Sequence, residues 1–410
     1  MAEDVKVPEG WDVSNLGKLA SFINGYAFKP EDWKEEGLPI IRIEQLKDPN
    51  AKYDYSDKKL PDIYLIDNGD LIFSWSATLA IKLWDRGKAY LNQHLYKVIP
   101  NSTIKRRFLK YLLEHKIEDL SKETHGSTMK HITRTFLLNF RVTYPKSKLE
   151  QYKIAEILET VDNAIEKTGR IIEKYKHIKQ GLMQDLLTRG IAESDELGVM
   201  SYELRDEKKH RFKDSPLGRI PEEWEVVELG CVGDIIYGEG LRQELYEPDG
   251  DTLVFGTGGI IGRAKLFLDR GPALVIPRKG SITSVFYIQE DQKFWIIDTA
   301  FYLKPQNGYC KFIYFTLCNM DLELLNEATG VPSLSRENIK SIQIPLPPLP
   351  EQHRIASLLS QIDEAIEKEQ KYKEKLERIK KGLMEDLLMG KVRVNHLIGE
   401  NKSLERVENV

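Results

Sequence analysis

The sequence predicts an α+β chain in which two similar mixed α/β domains are joined by two long helices, packed as an antiparallel coiled coil with pseudo-two-fold symmetry. Three observations carry this. One stretch occurs twice, at Glu150–Leu187 and Glu351–Leu388, offset by 201 residues without insertion and with roughly half its positions identical. A second repeat, PEGWDVSNLG at 8–17 and PEEWEVVELG at 221–230, lies 142 residues before the first long copy and 130 before the second. Between these shared ends the interiors are unlike in residue but alike in order: short β-type runs, a helix, a polar loop, a short helix and a strand. A constant frame holding two variable modules accounts for identity concentrated at the ends.

Each long copy reads as one helix. Ile154, Leu158, Val161, Ile165, Ile172, Tyr175, Leu182 and Leu186 recur mostly three and four apart, as do Ile355, Leu359, Ile362, Ile366, Leu376, Leu383 and Leu387 in the second copy. That spacing gives a narrow apolar seam, which a lone helix must bury. The other copy is the simplest partner. Ser147 with Glu150 predicts a capping box, and Pro350 suits a first helical turn. Gly190 and Gly390 mark the ends. At ~1.5 Å per residue, roughly 40 residues make a rod of about 60 Å, a ruler between the modules.

The first interior predicts strands at Leu38–Leu46, Asp70–Ser74, Ala80–Trp84 and Ala89–Ile99, then a helix from Ile104 to Glu123. The second predicts strands at Thr252–Phe255, Ala264–Leu268, Ala273–Ile276, Ser281–Ile288 and Phe294–Leu303, then a helix at Lys311–Glu327. The expected domains are 1–146, the first long helix at 147–190, a solvated linker at 191–210, a second module at 211–347, the second long helix at 348–390, and a C-terminal strand and tail at 391–410.

The chain has 410 residues, with 60 Lys+Arg against 64 Asp+Glu. That net charge does not announce a nucleic-acid binder, although it divides unevenly, about +3 over 1–146 and about −5 over 211–347. Cys231, Cys310 and Cys318 have no metal-ligand spacing and read as reduced thiols of a cytoplasmic protein. No signal peptide or membrane span is evident.

Catalytic signatures are missing. There is no phosphate-binding loop of the GxxxxGK[ST] type, no HExxH, no GxSxG, and no Asn/Asp-Pro-Pro-aromatic motif. Gly256-Thr257-Gly258-Gly259 reads as a tight turn. His125 and His131 have no acidic or thiol partner nearby, so neither a metal nor a cofactor is expected. What remains is polar and placed in loops. Arg42 and Gln45, Ser74 and Ser76, Asn92 and Gln93, and Ser127 and Lys130 lie in the first interior, the last pair ahead of Arg134. Thr257, Gly258, Arg278, Lys279, Ser281 and Thr299 hold comparable places in the second, with Ser335-Arg336 beyond them. Arg, Gln, Asn, Ser and Thr can read base edges, while Lys and backbone amides grip phosphates. These fourteen residues are the candidate DNA face.

The segments PLPPLPEQHRIASLLSQIDEAIEK, GLMEDLL and GKVRV in the second half, EQYKIAEIL, VDNAIEK and GLMQDLL in the first, and SPLGRIPEEWEVVELG between them resemble those of the specificity subunits of type I restriction–modification systems. The resemblance covers nearly the whole chain. It implies two target-recognition domains, each reading one half of a split double-stranded DNA sequence, alternating with two conserved helices. It implies a non-catalytic subunit that docks two methyltransferase subunits, with motor–nuclease subunits added for cleavage. The first long helix begins YPKSKLEQ rather than PLPPLPEQ, a departure confined to the start of that helix. Three alternatives stay open: the same subunit in another multi-subunit restriction class, a coiled-coil scaffold joining two protein-binding domains without DNA, and a stand-alone enzyme.

Overall fold

A computed structural model describes residues 7–398 except 49, 77, 123–131, 197–198, 307–309, 327 and 329. The chain divides into two compact units, one of residues 1–169 with 371–410, the other of 170–370. Each therefore holds part of both long helices.

In the first unit, β1 (Trp11–Asn15), α1 (Leu16–Leu19) and β2 (Ala20–Asn24) are followed by β3 (Leu38–Ile41), α2 (Ile43–Lys47), β4 (Asp54–Ser56), β5 (Leu65–Ile66), β6 (Leu71–Ser74), β7 (Ala80–Leu83), β8 (Ala89–Leu91) and β9 (Leu95–Pro100). Then come α3 (Arg106–His115), α4 (Ile117–Lys122), α5 (Arg134–Asn139), β10 (Arg141–Pro145) and α6 (Lys148–Leu186), the first long helix. Two hairpins follow in the second unit, β11 (Ile191–Glu196) with β12 (Val199–Leu204) and β13 (Phe212–Ser215) with β14 (Gly218–Pro221). The second module runs β15 (Glu225–Glu228), β16 (Gly233–Tyr237), β17 (Thr252–Gly256), β18 (Gly259–Ala264), β19 (Asp269–Arg270), β20 (Ala273–Pro277), β21 (Phe286–Ile288), β22 (Lys293–Ile296), β23 (Ala300–Pro305), α7 (Cys310–Cys318), α8 (Arg336–Lys340) and β24 (Gln343–Leu346), and ends in α9 (Leu349–Leu388).

The two modules have one topology. The first has sheets ordered β2-β9-β6-β7 and β4-β3-β8-β5, and the second β16-β23-β20-β21 and β18-β17-β22-β19. Counted from the start of each module, these orders are identical. In each, one parallel pair (β3 with β8, β17 with β22) sits among antiparallel ones. A two-stranded antiparallel neck, β1 with β10 or β15 with β24, closes each module where the chain enters and leaves it. The sequences differ, but the equivalent strands β6 and β20 are buried along their whole length at the centre of each module.

Each core is continuous with the helix segments of its own unit. Trp11, Phe22, Phe73, Phe108 and Leu112 pack with Ile154, Leu158 and Leu387 in the first. Trp224, Ile235, Phe301 and Phe315 pack with Leu186, Ile355 and Leu359 in the second. Within the first unit Lys380 Nζ lies 2.7 Å from Asp162, and Lys110 Nζ and the Tyr111 hydroxyl reach the same carboxylate at 3.0 and 2.8 Å. Within the second, Lys179 Nζ lies 2.6 Å from Asp363.

Burial alone would raise the Asp162 pKa, but the ammonium groups of Lys110 and Lys380 outweigh it and hold the carboxyl below its ordinary value of 3.8. Burial would lower Lys380, but Glu114 and Asp162 outweigh that and hold it above 10.5. The contribution of Asp162 is thus present above pH 3.8 and is lost as pH falls through its depressed folded value, while that of Lys380 is lost only as pH rises past 10.5. Asp162→Asn should therefore flatten the acid limb of the stability–pH curve measured by denaturant unfolding. Curves that stay parallel to wild type below pH 3.8 would overturn this reading.

Several sequence expectations are corrected. The run Leu38–Leu46 is not one strand: it turns at Arg42 into α2, because Gln45 Oε1 accepts the Arg42 amide N–H at 2.9 Å and caps the turn. The helix expected over Ile104–Glu123 breaks between α3 and α4, and that over Lys311–Glu327 ends at Cys318, with a single 3₁₀ turn at Leu322–Leu325. The stretch 191–210 contains a hairpin rather than a solvated linker, with Ile191 buried. Residues 391–398 form no strand, and the rest of the tail lies outside the described residues. The capping box is half made: the Glu150 amide donates to Ser147 Oγ at 3.3 Å, but the Glu150 carboxylate turns instead to Arg393. Gly190 and Gly390 do end the long helices, in the left-handed conformation at φ +63° and +68°.

Candidate nucleic-acid interface

In the first unit, three loops meet beyond the end of β6. The Trp75 amide donates to the His94 carbonyl at 3.5 Å, and the Trp75 carbonyl accepts from the Ile132 amide at 3.0 Å. Trp75 also lies against the rings of His94 and Tyr96, with centroids 5.9 and 5.8 Å apart. Thr133 caps α5 by accepting from the Phe136 amide, and Arg134 follows at the first helical position, its Nη2 donating to the Phe22 carbonyl at 3.5 Å.

The second unit repeats this arrangement beyond β20. The Arg278 amide donates to the Thr299 carbonyl at 3.0 Å, and the Arg278 carbonyl accepts from the Leu334 amide at 2.9 Å. Ser335 caps α8 by accepting from the Asn338 amide, and Arg336 follows at the first helical position. The guanidinium groups of Arg278 and Arg336 lie 5.4 and 5.7 Å from the centre of the Tyr237 ring, which is 46% exposed. Phosphates and base edges both accept hydrogen bonds, so two guanidinium groups beside an exposed aromatic ring form a surface suited to nucleic acid.

The sequence-predicted residues divide. Gln45, Ser74, Ser76 and Asn92 are buried, and the side chains of Gln45, Ser74 and Asn92 bond to backbone groups nearby. Gln45 donates to the Lys52 carbonyl, Ser74 Oγ to the Thr78 carbonyl at 2.7 Å, and Asn92 Oδ1 accepts from the His94 amide. None of these four side chains reaches the surface of the folded chain. Arg42 is spent on Asp54 at 2.7 Å and on the face of Trp33. Thr257 Oγ1 lies 2.8 and 3.0 Å from the Lys279 and Thr299 carbonyls, so it ties three loops together. Gly258, Lys279 and Ser281 are exposed, and Gln93, Arg278 and Thr299 are half-buried beside them or at the matching place in the first unit. Ser127 and Lys130 lie outside the described residues. Trp75, Arg134, Tyr237 and Arg336 were not among the fourteen. Their signal was positional: Thr133-Arg134 and Ser335-Arg336 stand at matching places ahead of the last strand of each module.

The chain is thus a duplicated α/β module with a matching loop cluster in each copy. The family model for the type I restriction modification DNA specificity domain matches twice, at residues 8–174 and 221–378, and the chain belongs to that family. Members of the family are specificity subunits, which carry DNA target-recognition domains and are not themselves catalytic. The chain is 28% identical to the type I restriction enzyme MjaVIII specificity subunit of Methanocaldococcus jannaschii, over 96% of this chain and 95% of that one. It is 23% identical to the EcoBI specificity subunit of Escherichia coli, over 87% and 80%. Its fold is similar to the crystal structure of the S subunit of a type I system from M. genitalium, with a TM-score of 0.64 at 16% identity over 95% and 98% of the two chains. No helix among the described residues is long and apolar enough to cross a membrane.

Proposed function

We propose that each module reads one half of a split duplex target, and that the long helices pair as an antiparallel coiled coil about a pseudo-two-fold axis and dock two methyltransferase subunits, with motor–nuclease subunits joining for cleavage in the cytoplasm. The observation that carries the reading is the repetition of one loop geometry on one topology, with different residues at the varying place: Trp75 in one module, Arg278 in the other. Two readers of one build and unlike tips suit two unlike half-sites. The pairing of the helices is supported by their ion pairs. Asp162 and Asp363 are repeat equivalents, 201 apart, as are Lys179 and Lys380. Asp162 meets Lys380 in one unit and Asp363 meets Lys179 in the other, the exchange of partners a two-fold relation requires. On this reading Gln93, Gly258, Arg278, Lys279, Ser281 and Thr299 face the duplex, and Thr257 holds the loops of Lys279 and Thr299.

The test is to map methylated bases in the host genome with and without the gene. A split motif present only with the gene is expected. Identical methylation in both, from a chain that co-purifies with methyltransferase subunits, would replace DNA reading with the scaffold reading.

A further inference from the structure

The two modules differ at the tips of their loops but share one arginine, and what a shared residue does must be something both half-sites offer. Arg134 and Arg336 each follow a hydroxyl cap, Thr133 or Ser335, at the first position of the short helix before the neck strand. The residue two before each arginine ties that helix to the variable loop, through Ile132 to Trp75 and through Leu334 to Arg278. Among the described residues no carboxylate lies within ion-pair distance of either guanidinium, whereas Arg42, Arg107, Arg205 and Arg393 are all paired. Arg336 is half-buried, and its Nε is buried without a hydrogen-bond partner among the described residues. An unpaired and partly desolvated guanidinium holds binding energy in reserve for an anion.

We infer that Arg134 and Arg336 are the phosphate grips of the two modules: each takes a backbone phosphate of the duplex, independent of sequence, and so sets the register in which the neighbouring variable residue reads bases. This deepens the reading above and rests on it. Two modules reading unlike sequences have only the sugar–phosphate backbone in common, and arginine suits it through paired N–H donors. The place beside it, Trp75 or Arg278, differs between modules as a base-reading position should.

The experiment uses the full chain assembled with its methyltransferase partners. Affinity is measured against salt for a duplex carrying the mapped motif, for duplexes with either half scrambled, and for a duplex lacking the motif. Arg134→Ala and Arg336→Ala should each lower affinity about tenfold for all four duplexes alike and reduce the slope of log affinity against log salt by ~0.9, while the ratio of motif to scrambled duplex holds. Arg134→Lys and Arg336→Lys should keep the slope, which separates a lost charge from a lost fold. Unchanged affinity and slope in the folded alanine variants would overturn the assignment while leaving the wild-type discrimination intact. Discrimination lost at one half only, with the slope unchanged, would also overturn it and make the arginine a base reader. A wild-type complex that bound all four duplexes equally would instead sink the underlying DNA-reading proposal.

Discussion

Arg205→Ala should cost the second unit ~3–5 kcal/mol, far more than a surface ion pair contributes. The Glu351 carboxylate, in the first turn of α9, is buried beside Trp224 and Ile191. It accepts from both Arg205 Nη groups, from Trp224 Nε1 at 3.0 Å and from the Ile191 amide at 2.8 Å. The Arg205 and Glu351 side chains are only 10% and 9% exposed, so removing the guanidinium strands a charge that water cannot reach. The first unit has a counterpart. Glu150, 1% exposed in the first turn of α6, accepts from Arg393 Nε and Nη2 at 2.6 and 2.9 Å, and Arg393 Nη1 also donates to the Glu9 carbonyl at 2.6 Å. Arg393→Ala should have an effect of similar size. In each unit the segment leaving one long helix is thus fastened to the start of the other. Urea unfolding followed by circular dichroism reads the loss. The double variant Arg205→Leu with Glu351→Met should recover much of it, since both charges then leave together. A cost below ~1 kcal/mol for Arg205→Ala would show that the pair behaves as an exposed one.

These latches show where the sequence could be read and where it could not. The long helices were legible because their apolar spacing is local and the duplication repeats it. Glu150 was legible as part of a capping box with Ser147, but its true partner, Arg393, is 243 residues away, and no local rule finds it. The hairpin from Ile191 to Leu204 was hidden for the same reason: its anchor is distant in sequence, with the Ile191 amide and the Arg205 guanidinium both donating to the Glu351 carboxylate. In the candidate interface, residue chemistry chose side chains capable of reading DNA, but capability does not settle exposure. Gln45, Ser74 and Asn92 have the right groups and turn them inward to hold loops, and Ser76 is buried. The meeting of Tyr237 and Arg336 depends on strand order, which brings the end of β16 beside the start of α8, and no local pattern in the sequence shows it.

Exchanging one module's interior for that of a relative should rewrite one half of the target and leave the other half alone. Specific and non-specific binding typically differ 10³–10⁷-fold, so the new half should be methylated and the old one abandoned rather than merely weakened. The neck fixes where to cut. In the first module both chain crossings pass through the β1–β10 ladder, Trp11 against Pro145 through Asn15 against Arg141, so junctions at residues 15 and 141 keep every ladder bond. One further contact must be kept. Lys110 and Tyr111 on α3 reach Asp162 on the long helix, and Asp162 also holds Lys380. The corresponding helix of the second module, α7, offers a different face: Phe315 lies 5.4 Å from Lys179, without a cation of its own at that pair. A donor interior lacking Lys110 and Tyr111 leaves Asp162 with fewer donors and should lower stability, whereas a donor grafted with those two residues should not. Motif mapping of the exchanged protein decides the matter. A change in both halves at once would mean that the modules do not read independently. An unchanged motif from a folded, active exchange would mean that the bases are read by residues outside the exchanged interior.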